Sequence, residues 1–120
     1  MLNLDTHILI ALLAGELTPR EEKHIVTETL AISDIVLWEL AKLSQMRRLQ
    51  IDFDSSEFRQ ALRSISVVPI TLEIARISTQ LDFKSGPEDE IIAATSIVEK
   101  LPLLTRDRSI LRSRIVPFAR

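Results

Sequence analysis

A chain of 120 residues with 46% hydrophobic residues and a formal charge of −2 has the length of one domain and enough apolar side chains for a core, which excludes a disordered protein. Two glycines and 4% aromatic residues are too few for an all-β barrel or sandwich, and the absence of cysteine excludes disulfides, thiolate catalysis and cysteine-based zinc sites. We expect a single domain over residues 1–120, with no membrane span, no secretion signal and a cytoplasmic location.

Short apolar runs alternate with helical patterns along the chain. Gly15 is placed to end the first helix, Thr18-Pro19-Arg20-Glu21 combines three helix-start signals, and Asp54-Ser55-Ser56-Glu57 forms a second capping box. In chain order, we predict strands at 2–4, 30–33, 66–70, 103–105 and 115–118. We predict helices at 8–14, 18–29, 35–47, 54–64 and 71–81, another that begins at 87, and a helical turn at 107–111.

Strands separated by helices indicate an α/β fold, a three-layer α/β/α arrangement around a central, mainly parallel sheet of about five short strands. Ligands of such sheets bind beyond the carboxyl ends of the strands, near a switch in strand order. Asp5 closes the first strand and Asp107 follows the fourth. If those two strands are neighbours, their acids share one crevice.

Four acids, Asp5, Glu39, Asp89 and Asp107, lie in or beside apolar runs, where a lone carboxylate is costly. Ordinary structural roles exist for each of them. Asp5 and Asp107 are suited to cap helices, and Asp89 stands in an acidic first turn that the helix dipole favours. For Glu39 the structural alternative is a salt bridge to Lys42, worth only about 0.3 kcal/mol. That alternative does not explain why Glu39 lies within an apolar helical stripe.

Together, the four acids favour a divalent cation. Unit charges about 4 Å apart repel by about 4 kcal/mol at an effective dielectric of 20, so clustered carboxylates need neutralisation. Mg²⁺ or Mn²⁺ suits oxygen ligands, and two such ions activate water and stabilise the leaving oxygen of a phosphodiester. Other side chains offer less: His7 and His24 lack zinc-ligand spacing, and Trp38 is expected in the core.

Arginines dominate the end of the chain. From residue 101 onward there are five arginines, and Asp107 is the only acid. Arg106, Arg108 and Arg112 are therefore candidates to hold the phosphates of a polyanion. The alternative is the solvated surface of a short terminal helix.

Four segments resemble PIN domains in their order along the chain, and more narrowly the VapC-type toxins of type II toxin–antitoxin pairs. They are Leu4-Asp5-Thr6-His7, Trp38-Glu39, the run from Glu88 to Thr95, and Leu104-Thr105-Arg106-Asp107. The resemblance implies a PIN-like fold and a Mg²⁺- or Mn²⁺-dependent endoribonuclease, with metal-site acids at Asp5, Glu39, Asp89 and Asp107. Thr105 and Thr6 match residues that support the site. For a ribonuclease, the polyanion that Arg106, Arg108 and Arg112 would contact is the RNA backbone. The resemblance also implies a homodimer and a cognate antitoxin that covers the site.

The chain departs from the family pattern at Gly86-Pro87 and at Glu90, where relatives often carry Asp-Pro and Arg. Glu90 is a candidate for an extra ligand or for weakening the approach of RNA. Two alternatives to the nuclease follow from the same acids. One is a receiver-like module that binds magnesium, and the other is a PIN-like protein-binding module without catalysis.

Overall fold

The computed structural model describes every residue from Met1 to Arg120, in four strands and seven helices. The strands are β1 (Leu2–Leu4), β2 (Leu30–Ser33), β3 (Ile65–Val68) and β4 (Leu103–Leu104). The helices are α1 (Thr6–Ala14), α2 (Pro19–Thr27), α3 (Asp34–Gln45), α4 (Ser56–Arg63), α5 (Leu72–Ser78), α6 (Pro87–Glu99) and α7 (Arg108–Leu111). None of the seven helices has the length and hydrophobicity needed to cross a lipid bilayer.

The four strands form one parallel sheet in the order β3-β2-β1-β4. The predicted α/β class with a central parallel sheet is therefore confirmed. Strand β1 pairs with β2 through Asn3 and Ala31, and with β4 through Asn3 and Leu103. Receiver-like sheets have the order 2-1-3-4-5, in which β1 lies between β2 and β3. The observed order excludes the receiver-like alternative.

Strand β1 is buried on both faces, as expected for the centre of a parallel sheet. Because side chains alternate along a strand, Leu2 and Leu4 share one face and Asn3 points to the other. The Asn3 amide nitrogen donates to the Ile92 carbonyl at 3.2 Å and to the Ser96 hydroxyl at 2.9 Å. These bonds fix α6 against β1, directly below the candidate site.

Most helix ends follow their sequence signals. Gly15 ends α1 with a φ of 70°, in the left-handed region. Thr18 and Glu21 form the predicted capping box, and α2 ends two residues earlier than predicted, at Thr27. Helix α4 begins at Ser56 with Ser55 as its cap, so the prediction of Asp54 as the cap is wrong.

The predicted last strand at 115–118 is reduced to a single parallel bridge between Leu103 and Phe118. The Ser113 hydroxyl accepts the amides of Ile115 and Val116, both at 3.1 Å, so neither amide is available to a ladder. Pro117 has no amide proton to donate. The sheet therefore has four strands, not five.

The prediction that Trp38 belongs to the core is also wrong. Its side chain is 51% exposed, and the Lys42 ammonium lies 5.8 Å from the centre of its ring. The buried face of α3 is supplied by Val36 and Leu40, which are fully covered.

Candidate functional site

The candidate site lies where β1 and β4 end side by side, as the sequence predicts. Going outward from β1, the sheet continues through β2 on one side and β4 on the other, so this is the switch point at which ligands bind in open parallel sheets. Asp5 follows β1 and is only 1% exposed. Its Oδ2 accepts from the Thr105 hydroxyl at 2.6 Å, and its Oδ1 accepts from the Thr6 amide at 2.8 Å. The residue after β4 thus binds the residue after β1.

Glu39 reaches the same site from α3. Its side chain is half-buried, and its Oε1 accepts a hydrogen bond from the Thr6 hydroxyl. Thr6 therefore connects two acids, through its amide to Asp5 and through its hydroxyl to Glu39. The alternative salt bridge from Glu39 to Lys42 is not formed, since Lys42 donates to Gln45 instead.

Asp89 stands in the first turn of α6. Its Oδ2 accepts from the Ser85 hydroxyl at 2.8 Å. The Ser85 amide in turn donates to Oε2 of Glu90 at 3.3 Å. Glu90 thus holds the loop before α6, and Ser85 orients Asp89.

Asp107 caps α7. Its Oδ1 accepts from the Ser109 amide at 2.8 Å and from the Ser109 hydroxyl at 2.6 Å. Its own amide donates to the Thr105 hydroxyl oxygen at 3.0 Å. Thr105 therefore links the backbone of one acid to the carboxylate of another, Asp5. The helix-cap role predicted for Asp107 is observed at the edge of the site.

The carboxyl groups of the site act on one another electrostatically. Burial, opposed by the Ser85 hydrogen bond and reinforced by the charges of Asp5, Glu39 and Asp107, raises the pKa of Asp89 to about 6. Burial also raises the pKa of Asp5 and of Glu39, and other acids of the site add to both shifts. None of the four acids forms an ion pair. The site therefore carries negative charge that no side-chain cation pairs with directly.

The four acids do not form a ready-made metal site. No three Asp, Glu or His side chains approach closely enough to hold an ion together. The hydrogen bonds give a physical reason, since both oxygens of Asp5 face donors and Asp107 is turned toward Ser109. The set nevertheless fits a hard divalent cation, because its donors are carboxylate and hydroxyl oxygens and its charge is unpaired.

The arginines predicted to contact RNA differ in their surroundings. Arg106 forms an ion pair: its Nε and Nη2 donate to the two oxygens of Glu21, at 2.7 and 2.6 Å. Arg108 and Arg112 are exposed and form no ion pair. These two arginines therefore have no competing carboxylate partner, whereas Arg106 has one.

Sequence reasoning missed several residues at this site. Besides burial, the charge of Glu88 contributes to the raised pKa of Glu39. His7 is an exposed residue of α1, and its charge lowers the pKa of Asp5, against the larger effect of burial. His7 also lines a cavity of about 410 Å³ with Arg106 and Asp107. Its position two residues after Asp5 was the available signal, whereas nothing in the sequence indicated the Ser85 contact.

The chain was compared with protein families and with solved structures. The sequence model of the PIN domain family matches residues 3–115. The chain is similar in structure to a toxin–antitoxin complex from Klebsiella pneumoniae, with 24% identity, a TM-score of 0.75, and 99% of this chain and 97% of that chain covered. It is similar to VapBC2 from Rickettsia felis bound to a DNA fragment from their promoter, with 19% identity, a TM-score of 0.76, and 99% and 98% covered.

A third similar structure is FitAcB from Neisseria gonorrhoeae, with 18% identity, a TM-score of 0.70, and 99% of this chain and 97% of that chain covered. Likeness at these identities shows the fold alone. No curated protein matches the chain in sequence. Because the family match extends over nearly the whole chain, the protein belongs to the PIN domain family, as its ordered motifs predict.

Proposed function

We propose that this PIN domain is a metal-dependent endoribonuclease and the toxin of a toxin–antitoxin pair. The observation that carries the proposal is the group of four electrostatically coupled carboxyls at the switch point, without a cationic partner. A fold needs no such group for stability, because repulsion among the acids opposes folding. PIN domains are generally nucleases, so the family supports the same chemistry.

Asp5, Glu39, Asp89 and Asp107 are the residues that would hold Mg²⁺ or Mn²⁺. When bound, such an ion would activate water and neutralise charge on the phosphate of an RNA backbone. The protein's own contribution is orientation. Thr105 and Thr6 hold Asp5 from both sides, and the Thr6 hydroxyl also fixes Glu39. The carboxylates of Asp5 and Glu39 are thereby kept at the crevice.

The proposed substrate is RNA, bound through its phosphates. Arg108 and Arg112 are exposed, unpaired and close in sequence to Asp107. Contacts of this kind make binding weaken with rising salt. The slope of log K against log salt concentration is about −0.9 per neutralised phosphate on duplex DNA and about −0.7 on single strands. Two arginines therefore predict a modest slope.

The toxin assignment rests on the fold and on the similar structures, one of which is a toxin–antitoxin complex. We propose that a cognate antitoxin covers the site and that the chain forms a homodimer. Exposed apolar side chains on β3 and α5 favour a homodimer interface there: Leu72 is 75% exposed and Val67 is 43% exposed.

A cleavage assay tests the proposal directly. An RNA hairpin with a fluorophore and a quencher is incubated with the protein in Mg²⁺, Mn²⁺ or EDTA. We expect cleavage with either ion and none in EDTA. Asp5→Asn should abolish cleavage and retain the fold, because it replaces one buried charge by a group of the same shape. Asp54→Asn, at an exposed acid paired with Arg59, is the matched control.

Full activity of Asp5→Asn in magnesium would refute the assignment of the site. No cleavage of any RNA by the wild-type protein, with intact fold, would instead support the PIN-like protein-binding module without catalysis. Divalent-ion binding without RNA, measured by calorimetry on the wild type and Asp5→Asn, separates a lost metal site from a missing substrate.

A further inference from the structure

The ion pair between Arg106 and Glu21 joins parts of the chain that are 85 residues apart. It is bidentate, with Nε and Nη2 of Arg106 donating to separate Glu21 oxygens at 2.7 and 2.6 Å. Glu21 is 6% exposed, whereas the side chains of Asp54 and Arg59 in another ion pair are 90% and 60% exposed. The Arg106 side chain is 44% exposed, so the pair is sheltered on its carboxylate side only. Its two parallel hydrogen bonds fix the orientation of both side chains.

Each partner of this pair is held a second time. Oε1 of Glu21 also accepts the Thr18 amide at 2.9 Å, within the capping box of α2. Nη2 of Arg106 also donates to the Glu16 carbonyl at 3.3 Å. The guanidinium is therefore anchored to the connection between α1 and α2.

Arg106 lies between two residues of the candidate site. Thr105 donates to Asp5, and Asp107 donates its amide back to the Thr105 hydroxyl. This segment follows the two-residue strand β4, so few ladder bonds restrain it. An anchor at Arg106 restrains the backbone on both sides of it.

We infer that Glu21 is a positioning residue of the acidic site: by holding Arg106, it keeps the Thr105 hydroxyl on the Asp5 carboxylate and the Asp107 amide on Thr105. The functional meaning of this role rests on the proposed metal-dependent activity. The Glu21 carboxylate itself accepts hydrogen bonds from Thr18 and Arg106 and bonds none of the four acids.

Glu21→Gln tests the inference with little damage elsewhere. Glutamine keeps an oxygen for the Thr18 amide, because a capping box accepts Glu or Gln, but it turns an amide donor toward one Arg106 nitrogen. Glu22→Gln is the matched control, since it removes the same charge from the adjacent, exposed residue of α2. All variants are compared at a temperature where circular dichroism shows them fully folded.

Two readouts are used, neither of which needs catalysis. Mn²⁺ affinity, measured from the electron paramagnetic resonance signal of free Mn²⁺, should fall about tenfold in Glu21→Gln, the lower end for loss of a supporting partner. Hydrogen exchange of the Asp107 amide should accelerate by about the same factor as its bond to Thr105 loosens. Glu22→Gln should leave both unchanged. Adding Arg106→Met to Glu21→Gln should cause no further loss, because the pair acts as a unit.

If folded Glu21→Gln has the same Mn²⁺ affinity and the same exchange rate at the Asp107 amide as the wild type, the positioning role is overturned. This holds whatever effect the substitution has on the unfolding midpoint. If the wild type binds no Mn²⁺, the proposed metal-dependent function fails. Exchange at Asp107 then still decides the inference: acceleration in Glu21→Gln alone supports it, and no acceleration overturns it.

Discussion

Replacing Asp89 by asparagine should make the metal-free protein more stable near neutral pH and leave its stability unchanged in acid. Burial and the neighbouring acids raise the pKa of Asp89 from 3.8 to about 6 in the folded state. Because the folded-state pKa is raised, the favourable contribution of the protonated group is complete below the unfolded value. It is lost as the pH rises through the folded value. Asparagine is neutral throughout and does not have this loss.

The magnitude follows from the size of the shift. About two pH units at about 1.36 kcal/mol each give about 3 kcal/mol as an upper bound. Asp89 is partly exposed, so solvent screening reduces the effect, and we expect about 1.5 kcal/mol. The Ser85 hydroxyl, which donates to Asp89 at 2.8 Å, still finds an oxygen acceptor in asparagine. The substitution therefore costs little where the acid is neutral.

Urea unfolding in EDTA buffers between about pH 4 and about pH 7.5 measures the difference. The free energies of unfolding of wild type and Asp89→Asn should nearly coincide at the acid end and separate by about 1.5 kcal/mol at the upper end. Asp54→Asn, at an exposed site, should remain parallel to wild type. Parallel curves for Asp89→Asn would refute the raised pKa that burial and the neighbouring acids give Asp89, because a raised pKa requires a pH-dependent difference.

Three further predictions concern the surroundings of Asp5. Thr105→Ala should lower the free energy of unfolding by about 2 kcal/mol and Thr105→Ser by less than half of that, since serine keeps the hydroxyl between Asp5 and Asp107; urea unfolding tests both. Asn3→Ala should cost about 2 kcal/mol by removing both bonds to α6, with the same assay and faster amide exchange in α6 as the expected signature. Mg²⁺ at about 100 times its dissociation constant should stabilise the wild type by about 2.7 kcal/mol in thermal or urea unfolding, and Asp5→Asn far less; equal stabilisation of both would contradict binding at this site.

The sequence predicted the position of the site better than its geometry. The alternation of strands and helices, with Asp5 after one strand and Asp107 after another, placed both acids at one edge of a parallel sheet. That prediction needs only the direction of the strands, which the connections determine. The predicted strand at 115–118 does not form, because two of its amides bind the Ser113 hydroxyl. Strand periodicity does not indicate such side-chain hydrogen bonds.

The partners of charged side chains were the least predictable part. Thr18-Pro19-Arg20-Glu21 indicated a helix start, and the capping box is present, yet the same pattern contained no sign that Glu21 also binds Arg106. A local motif constrains atoms a few residues apart, while an ion pair between residues 21 and 106 depends on where the fold brings α2 relative to the segment after β4. The prediction for Trp38 was wrong for a related reason: α3 buries a narrower stripe of side chains than its apolar residues suggest.

The contrast between coupled acids and the missing metal-ligand geometry has a physical explanation that the pH experiment tests. Without a cation, each carboxylate lowers its energy by turning toward a hydroxyl or amide, as Asp5 does toward Thr105 and Asp107 toward Ser109. Repulsion between the acids acts in the same direction. A divalent ion would oppose both the separate hydrogen bonds and the repulsion, because its charge attracts the carboxylate oxygens to one point. Repulsion between the acids therefore contributes both to their open arrangement and, after burial, to the raised pKa of Asp89, and a bound ion should oppose both effects.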